Sequence, residues 1–309
     1  MTDTLNERDR LTLAYNALAG LSVGDALGAQ FFVPGRSRQE LAEGNPPPGP
    51  WEWTDDTEMA CTVVTELRDN SSIRQDALAA LFADRCEPYR GYGPGAVVIL
   101  HQIRDGMPWR DAAGAVFGGQ GSCGNGAAMR VAPLGAYHAA DPDRAADQAA
   151  RSAEVTHLHP EGIAGAVAVA VAASVAASAS RAEGRPAPEA LLDEVTDRLP
   201  AGDVRQGVLR ARALLGRTAA EAAYELGNGS RVTAQDTVPF TLWVAATHLA
   251  DFPAAITTCV AAGGDIDTTS AIVGGIVASH TGIGDRPGTI GVPPTWLAAR
   301  EPLPAWVVE

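Results

Sequence analysis

Two short acidic clusters near opposite ends of the sequence carry the side chains best suited to chemistry. The first spans Trp53–Thr57 and the second spans Gly263–Thr269. Together they supply four carboxylates: Asp55, Asp56, Asp265 and Asp267. Four carboxylates brought together cannot all stay ionised unless cations neutralise them. Oxygen ligands suit hard ions such as Mg²⁺ or Mn²⁺, so the pattern predicts a site for two divalent ions.

Helix capping is the alternative interpretation of the same clusters. Asp and Thr are common N-cap residues, and Asp is favoured in the first turn of a helix. Each cluster lies beside an apolar run with helical spacing, so either one alone is well explained as a cap. The recurrence of the same pattern in two places favours the metal site.

The composition indicates a large helical core and argues against several partner classes. The 309 residues are 46 % hydrophobic but only 6 % aromatic, and the abundant alanine allows helices to approach closely. The formal net charge of −14 argues against sequence-independent nucleic-acid binding, which needs clustered Lys and Arg. A small phosphate-bearing ligand is still compatible, because bound metals supply local positive charge.

Cysteine usage and hydropathy predict a cytoplasmic protein with no membrane partner. The four cysteines have no zinc-like spacing and no Cys-x-x-Cys pair, so they are expected to be reduced thiols. Met1–Arg10 is polar and lacks the apolar run of a signal peptide. The longest apolar stretch, Ile163–Ala177, is short for a bilayer and is expected to form a buried helix.

Helical spacing of apolar residues dominates the chain, and alternating strand-like runs are scarce. The pattern predicts one all-α domain covering residues 1–309, with loops at Arg36–Pro50 and Glu87–Gly95. The predicted helices cover Leu11–Ala29, Glu58–Arg68, Arg74–Phe82, Ala96–Arg104, Ala112–Phe117, a run ending at Met129, Asp143–Thr156, Gly162–Ser180, Pro188–Leu199, Asp203–Leu215, Ala219–Leu226, Val238–Leu249, Phe252–Ala262 and Thr269–Ser279.

A glycine-rich loop and a histidine pair are the remaining candidates for a ligand site. The loop consists of Gly121, Ser122, Cys123, Gly124, Asn125 and Gly126, and it fits a tight turn or a ligand cradle equally well. It matches neither a Walker loop nor a Rossmann fingerprint. His157 is expected to hydrogen-bond a substrate, whereas capping or packing suits His159 as well. The pair does not predict zinc, since neighbouring ligands are lacking.

Five motifs in order resemble the ADP-ribosylglycohydrolase family. They are Gly24–Gly28, Trp53–Thr57, Gly121–Gly135, Thr156–His157 and Gly263–Thr269, and the resemblance spans roughly residues 14 to 282. It implies a single all-α domain with two Mg²⁺ or Mn²⁺ ions in a cleft. It also implies cleavage of the ribosyl C1″ bond that joins ADP-ribose to a protein side chain or a small acceptor. A monomer is favoured.

The same resemblance implies roles for particular residues. The implied metal ligands are Thr54, Asp55, Asp56, Asp265, Asp267 and Thr268, with Asp55 or Asp56 as the catalytic base. The implied substrate contacts are the loop Gly121–Gly126 with Met129, His157, Tyr92 and Phe32.

Phe32 departs from the family pattern. Many members have a Glu four residues after the second glycine of Gly-Asp-x-x-Gly, and another branch has an Asp in the loop that matches Gly91–Gly95. This chain has neither. Phe32 could stack on a different leaving group or pack in the core. The alternatives to a standard hydrolase are therefore a silent ADP-ribose or nucleotide binder, and a hydrolase of small ribosyl conjugates.

Overall fold

Helices provide the regular structure across residues 5–308, the range that the computed structural model describes. Met1–Thr4 and Glu309 lie outside it. The α-helices are α1 (Glu7–Ala29), α2 (Arg38–Ala42), α3 (Asp55–Asn70), α4 (Gln75–Arg85), α5 (Pro94–Arg104), α6 (Trp109–Gly119), α7 (Ala132–Tyr137), α8 (Pro142–Glu154), α9 (Pro160–Arg181), α10 (Pro188–Thr196), α11 (Asp203–Ala213), α12 (Ala219–Leu226), α13 (Ala234–Thr247), α14 (Phe252–Ala262), α15 (Ile266–Thr281), α16 (Pro294–Ala299) and α17 (Ala305–Val308). Within this range no β-strand forms, only isolated bridges. The predicted all-α fold is confirmed.

The central contact of the molecule is the close pairing of α1 with α15. Three glycines at four-residue spacing, Gly20, Gly24 and Gly28, lie on the face of α1 that meets α15. A Cβ atom on Gly24 would lie 2.1 Å from the Ser270 carbonyl oxygen, and one on Gly28 would lie 2.8 Å from Asp267 Cα. Only glycine allows so close an approach of two backbones. The pairing brings Asp25 of α1 beside the start of α15.

Helix α9 forms much of the remaining core, as predicted for the apolar stretch. It is long and apolar enough to span a membrane, but most of it is buried among neighbouring helices. Its alanines and valines pack in one large apolar cluster with residues of α7, α8, α13 and α15. The burial of this helix inside the protein explains its hydropathy.

Several predicted boundaries differ from the structure. The predicted loop Arg36–Pro50 contains the short helix α2. The predicted helical run through Met129 is wrong: Asn125–Ala127 is one turn of 3₁₀ helix, and a new helix, α7, begins at Ala132. Pro133 in the first turn of α7 explains the restart, since proline favours helix starts over interiors. Regular geometry in α6 is lost at Val116.

Both acidic clusters lie at helix N-termini. Helix α3 begins at Asp55, three residues before its predicted start, with Thr54 as its N-cap. Helix α15 begins at Ile266, directly after Asp265. Gly263 and Gly264, both with positive φ, form the sharp turn that joins α14 to α15. The partial positive charge of two helix N-termini therefore faces the carboxylates.

Candidate metal centre and substrate cleft

Three carboxylates from three helices meet at the centre of the molecule. One oxygen from each of Asp25, Asp56 and Asp267 lies within 4.8 Å of the others. Asp25 and Asp56 are buried, and Asp267 is partly buried. The two acidic clusters of the sequence therefore do converge. Asp25 was missed by the sequence analysis, although a charged residue inside the apolar run of α1 was a usable signal.

Asp25 ties α1 to the start of α3. Its Oδ2 accepts hydrogen bonds from the backbone N–H groups of Thr54 (2.9 Å) and Thr57 (3.2 Å). The Thr54 hydroxyl donates to Asp25 Oδ1 at 2.8 Å, and the Thr57 hydroxyl donates to Oδ2. Four donors hold this buried carboxylate, so it positions the first acidic cluster.

Asp56 has one carboxylate oxygen that lacks a hydrogen bond. Its Oδ1 is buried without a donor, whereas its Oδ2 lies 3.1 Å from the Thr54 hydroxyl. A buried, unpaired carboxylate oxygen is costly unless a proton or a cation satisfies it. Asp56 belongs to the three-carboxylate group, so a cation bound there could satisfy this atom.

The second cluster is held in a different way. Asp265 makes no capping hydrogen bond to α15; instead its Oδ2 accepts from the Asn125 amide at 2.7 Å. Asp267 Oδ1 accepts from the neighbouring N–H of Thr268 at 2.8 Å. The first cluster does include a capping interaction, since Thr54 accepts from the Asp56 N–H. Interactions with first-turn N–H groups therefore account for part of each cluster, but not for Asp265, which bonds to Asn125 instead.

Burial and mutual repulsion raise the carboxyl pKa values throughout the site. Burial is the main cause at each position, followed for Asp55, Asp56 and Asp267 by repulsion from neighbouring carboxylates. The pKa of Asp55 rises to about 7, and those of Asp56 and Asp267 rise well above the ordinary value. Burial also raises the pKa of Asp25 and of Asp265.

These residues fit a divalent cation. The donors are carboxylate and hydroxyl oxygens only, which is the set preferred by Mg²⁺ and Mn²⁺. Asp56 Oδ1 needs a partner, and the repulsion among the carboxylates would be relieved by positive charge. The residues that could hold such ions are Thr54, Asp55, Asp56, Asp265, Asp267 and Thr268, with Asp25 beside them.

A cleft of about 540 Å³ opens over the carboxylates. Twelve of the predicted site residues lie on its wall: Asp55, Asp56, Ser122, Cys123, Gly124, Asn125, Gly126, Met129, His157, Asp265, Asp267 and Thr268. The cleft thus joins the metal-ligand candidates, the glycine-rich loop and the histidine in one space. Its size suits a ligand of several rings.

The other four predicted residues do not line the cleft. Thr54 lies beneath it on Asp25, and Gly121 is buried against His159, where its φ of +74° requires glycine. Phe32 lies on a 3₁₀ helix after α1 and is 54 % exposed, so it is not packed in the core. Tyr92 is buried, and its hydroxyl donates to Glu58 at 2.6 Å. Their assignment as ligand or substrate contacts stays a prediction.

Phe117 and Arg231 were not predicted, yet both line the cleft. Phe117 has a left-handed backbone, with φ of +52°, and its ring is 65 % exposed over Gly95. A left-handed non-glycine residue costs about 1–2 kcal/mol, and such strain concentrates at functional sites. Arg231 is exposed, and its guanidinium has no partner among residues 5–308.

Comparison with known proteins identifies the arrangement. Residues 4–308 match the sequence profile of ADP-ribosylglycohydrolase. The chain belongs to the ADP-ribosylglycohydrolase family. The family resemblance predicted from the five motifs is thereby confirmed over almost the whole chain.

Several known proteins are similar to this chain along most of their length. The chain is 31 % identical to an uncharacterized protein of Archaeoglobus fulgidus, with 84 % of this chain and 85 % of the relative aligned. It is 27 % identical to the ADP-ribosylhydrolase ARH3 of Xenopus tropicalis, over 86 % of both chains. A solved structure described as an ADP-ribosylglycohydrolase-related protein complex has a TM-score of 0.64 at 26 % identity, covering 95 % of this chain and 94 % of that one.

Proposed function

We propose that this glycohydrolase uses divalent cations to cleave the bond between ribosyl C1″ and a nitrogen or oxygen atom of an ADP-ribosyl conjugate. The observation that carries the proposal is the unpaired Asp56 Oδ1 in a buried carboxylate group at the floor of the cleft. The similarity to proteins named ADP-ribosylhydrolases supports the substrate class. Mg²⁺ and Mn²⁺, two ions per chain, suit the donor set best.

The carboxylates suit glycosidic cleavage. Bound divalent ions would lower the pKa of a bound water and orient it for attack. They would also bind the ribose hydroxyls. Cleavage passes through a state with positive charge at the sugar carbon, which nearby carboxylates stabilise. Asp55 is our candidate base together with Asp56, because both carboxylates line the cleft within the acidic group.

The walls of the cleft suit the rest of ADP-ribose. The glycine-rich loop is fixed by bonds from Asn125 N–H to Val232 O and from Gly124 N–H to the Ser122 hydroxyl. Arg231 offers an unpaired guanidinium for a phosphate, and the exposed Phe117 ring offers a face for a base. Asn125 also donates to Asp265, so we propose that it supports a candidate metal ligand in addition to the predicted substrate contact.

A substrate panel tests this function. Peptides carrying ADP-ribosyl-serine or ADP-ribosyl-arginine, and small ADP-ribosyl conjugates, are incubated with the protein and Mg²⁺, and free ADP-ribose is measured by mass spectrometry. We expect release from at least one substrate, its loss on chelation, and its loss in Asp56→Asn. Asp105→Asn, at an exposed site away from the cleft, is the matched control. Metal-independent release, or release unchanged in Asp56→Asn, would refute the proposal.

A silent ADP-ribose binder is the second candidate, and Phe32 is the observation that favours it. Phenylalanine transfers no proton, and general acid–base assistance is worth about 10²–10⁴-fold in rate. We therefore expect slow turnover of the serine and arginine conjugates, with ADP-ribose binding retained. Phe32 does not line the cleft, so Phe32→Glu should accelerate one of them only if position 32 takes the place of the family Glu when substrate binds. Fast wild-type turnover with no gain from Phe32→Glu would show that another residue supplies the proton transfer.

The cysteines and the exposed apolar side chains bear on the cellular compartment and the oligomeric state. We propose a monomeric cytoplasmic protein that binds neither nucleic acid nor membranes. All four cysteines are free, which suits a reducing compartment. The large exposed apolar side chains are distributed over many separate elements. Light scattering at the chain mass of 31.9 kDa would support the monomer, and a stable dimer would contradict it.

A further inference from the structure

Arg130 is a fully buried cation at the inner end of the cleft, directly after Met129. Its side chain has no exposed surface and makes no ion pair among residues 5–308. One terminal nitrogen, Nη2, donates to the Ser152 carbonyl at 2.7 Å and to the Thr156 hydroxyl at 3.0 Å. The Cζ atom of the guanidinium lies 4.5 Å from the centre of the Phe82 ring. A buried guanidinium without a carboxylate is costly, so its contact with Thr156 calls for an explanation.

Thr156 connects Arg130 to His157. The Thr156 hydroxyl oxygen lies 2.7 Å from His157 Nδ1, and both side chains are buried. An arginine can only donate, so the Thr156 oxygen must accept the bond from Arg130. The hydroxyl has a single hydrogen, and Nδ1 of His157 is the one acceptor that it meets among the described residues.

These hydrogen bonds bear on the charge and the tautomer of the His157 imidazole. Burial, and then the positive charge of Arg130, lower the pKa of His157 to about 3, so the ring is neutral at physiological pH. A neutral imidazole carries one N–H, on either Nδ1 or Nε2. The Thr156 oxygen has a second lone pair, so an Nδ1–H could also donate to it, but the Thr156 hydrogen would then lack an acceptor among residues 5–308. With Nδ1 as the acceptor every group is satisfied, and the ring hydrogen is then on Nε2.

Nε2 faces the ligand space. It has no hydrogen-bond partner among residues 5–308, and His157 lines the cleft. A Cβ atom on Gly124 would lie 3.3 Å from Nε2, and one on Gly126 would lie 3.2 Å from it. A side chain at either position would crowd Nε2, so both glycines keep space for a ligand atom beside it.

We infer that Arg130 and Thr156 are positioning residues that fix His157 in the Nε2–H tautomer, so that the cleft presents a neutral donor which selects an acceptor oxygen of the substrate. Phosphate and ribose oxygens have this chemistry. The inference deepens the proposed function and rests on it for the identity of the ligand, whereas the tautomer itself can be measured without any ligand.

Nitrogen-15 NMR of the metal-free, ligand-free protein tests the tautomer. Protonated and unprotonated ring nitrogens of a neutral imidazole have well-separated chemical shifts, and the chain has six histidines. The His157 signals are assigned as those lost in His157→Gln. We expect a protonated Nε2 and an unprotonated Nδ1 in the wild type. A protonated Nδ1 would overturn the inference.

Three variants test the two links to His157. Thr156→Val removes the hydroxyl at nearly constant volume, and Thr156→Ser restores it. Arg130→Met removes the donor that restricts Thr156, in a position already packed on Phe82 and Met59. We expect mixed tautomers in Thr156→Val and in Arg130→Met, and the single wild-type tautomer in Thr156→Ser. If Thr156→Val still shows the Nε2–H tautomer alone, Thr156 does not fix the tautomer and the inference is refuted. This result is decisive even if Arg130→Met fails to fold.

Calorimetric titration with ADP-ribose and Mg²⁺ tests the consequence for binding. Thr156→Val should weaken ADP-ribose binding about tenfold, the size of effect expected when a buried donor to the ligand is lost. Thr156→Ser should restore the affinity, and Mg²⁺ binding should not change. Unchanged affinity in Thr156→Val would contradict the selecting role of His157. Absence of ADP-ribose binding in the wild type, with the tautomer as expected, would instead refute the proposed function.

Discussion

At the residue scale, Asp267 tests whether the carboxylates form a metal site or only cap helices. Asp267→Asn keeps the size of the side chain and removes one charge from the group formed with Asp25 and Asp56. A ligand that binds only the folded state adds about 2.7 kcal/mol at 100 times its dissociation constant. We expect the wild-type melting temperature to rise with Mg²⁺ or Mn²⁺, and the rise to disappear in Asp267→Asn.

The matched control for this measurement is Asp105→Asn, an exposed aspartate that does not line the cleft. Its metal-dependent rise should equal that of the wild type. A full rise in Asp267→Asn would show that Asp267 has no part in metal binding.

The raised carboxyl pKa values set the pH dependence of the metal-free protein. Between the ordinary Asp value of 3.8 and the value of about 7 for Asp55, the folded state holds more protons than the unfolded chain. Stability contributed by this proton is present at low pH and is lost as pH rises through about 7. Metal competes with the same protons, so the melting temperature gained from Mg²⁺ should be larger at pH 8 than at pH 5. A gain that is larger at pH 5 would contradict this assignment.

Single residues also show what the sequence could and could not predict. The four carboxylates of the clusters were predicted because two similar motifs require a common explanation. Asp25 was missed because its four hydrogen-bond donors, on Thr54 and Thr57, are 29 or more positions away in the chain. The bond from Asn125 to Asp265 spans 140 positions and has no local signal either. Hydrogen bonds between residues so far apart in the sequence form only once the helices have packed, so no local pattern predicts them.

At the element scale, the pairing of α1 with α15 sets the geometry of the site, and Gly24 tests it. In Gly24→Ala the new Cβ would meet the Ser270 carbonyl oxygen at 2.1 Å, so the helices must separate. Overpacking of this kind typically costs about 1–3 kcal/mol. We expect a lower melting temperature and weaker Mg²⁺ binding, because Asp25 and Asp267 move apart.

Gly114→Ala is the matched control for the Gly24 variant. Gly114 lies in α6, and a Cβ there would meet only Leu158 Cδ1, at an ordinary 3.6 Å. Alanine favours a helix over glycine by about 1 kcal/mol, so this variant should be neutral or slightly stabilised. Equal loss of metal affinity in both variants would mean that the spacing of α1 and α15 does not control the site.

Helix positions were predicted well where apolar spacing is long and regular, as in α1, α9 and α15. Short elements were not predicted well, because tertiary packing rather than apolar spacing determines where they begin and end. Helix α2 has only five residues, and its N-cap Ser37 accepts a hydrogen bond from Glu40 N–H. The segment from Asn125 to Val131 looks helical in composition, yet it forms a 3₁₀ turn that places Arg130 in the interior.

At the scale of the whole molecule, three helices with distant sequence positions supply one carboxylate group, and further helices and loops form the cleft over it. The fold class follows from composition and periodicity, whereas the cleft wall requires the tertiary arrangement. Phe117 illustrates the difference, since helical spacing placed it in α6 and the structure gives it a left-handed backbone at the cleft. The excess of acidic residues, 37 against 23 basic ones, favours uptake of cations by the molecule as a whole.

The number of Mn²⁺ ions bound per chain tests this arrangement most directly. Metal-free protein is titrated with Mn²⁺, and the free ion is followed by electron paramagnetic resonance. We expect two bound ions per wild-type chain, and the loss of at least one in Asp56→Asn, because the amide carries no negative charge and so binds a divalent ion more weakly than the unpaired carboxylate does. No saturable Mn²⁺ binding in the wild type, or undiminished binding in Asp56→Asn, would contradict a metal centre built on these carboxylates.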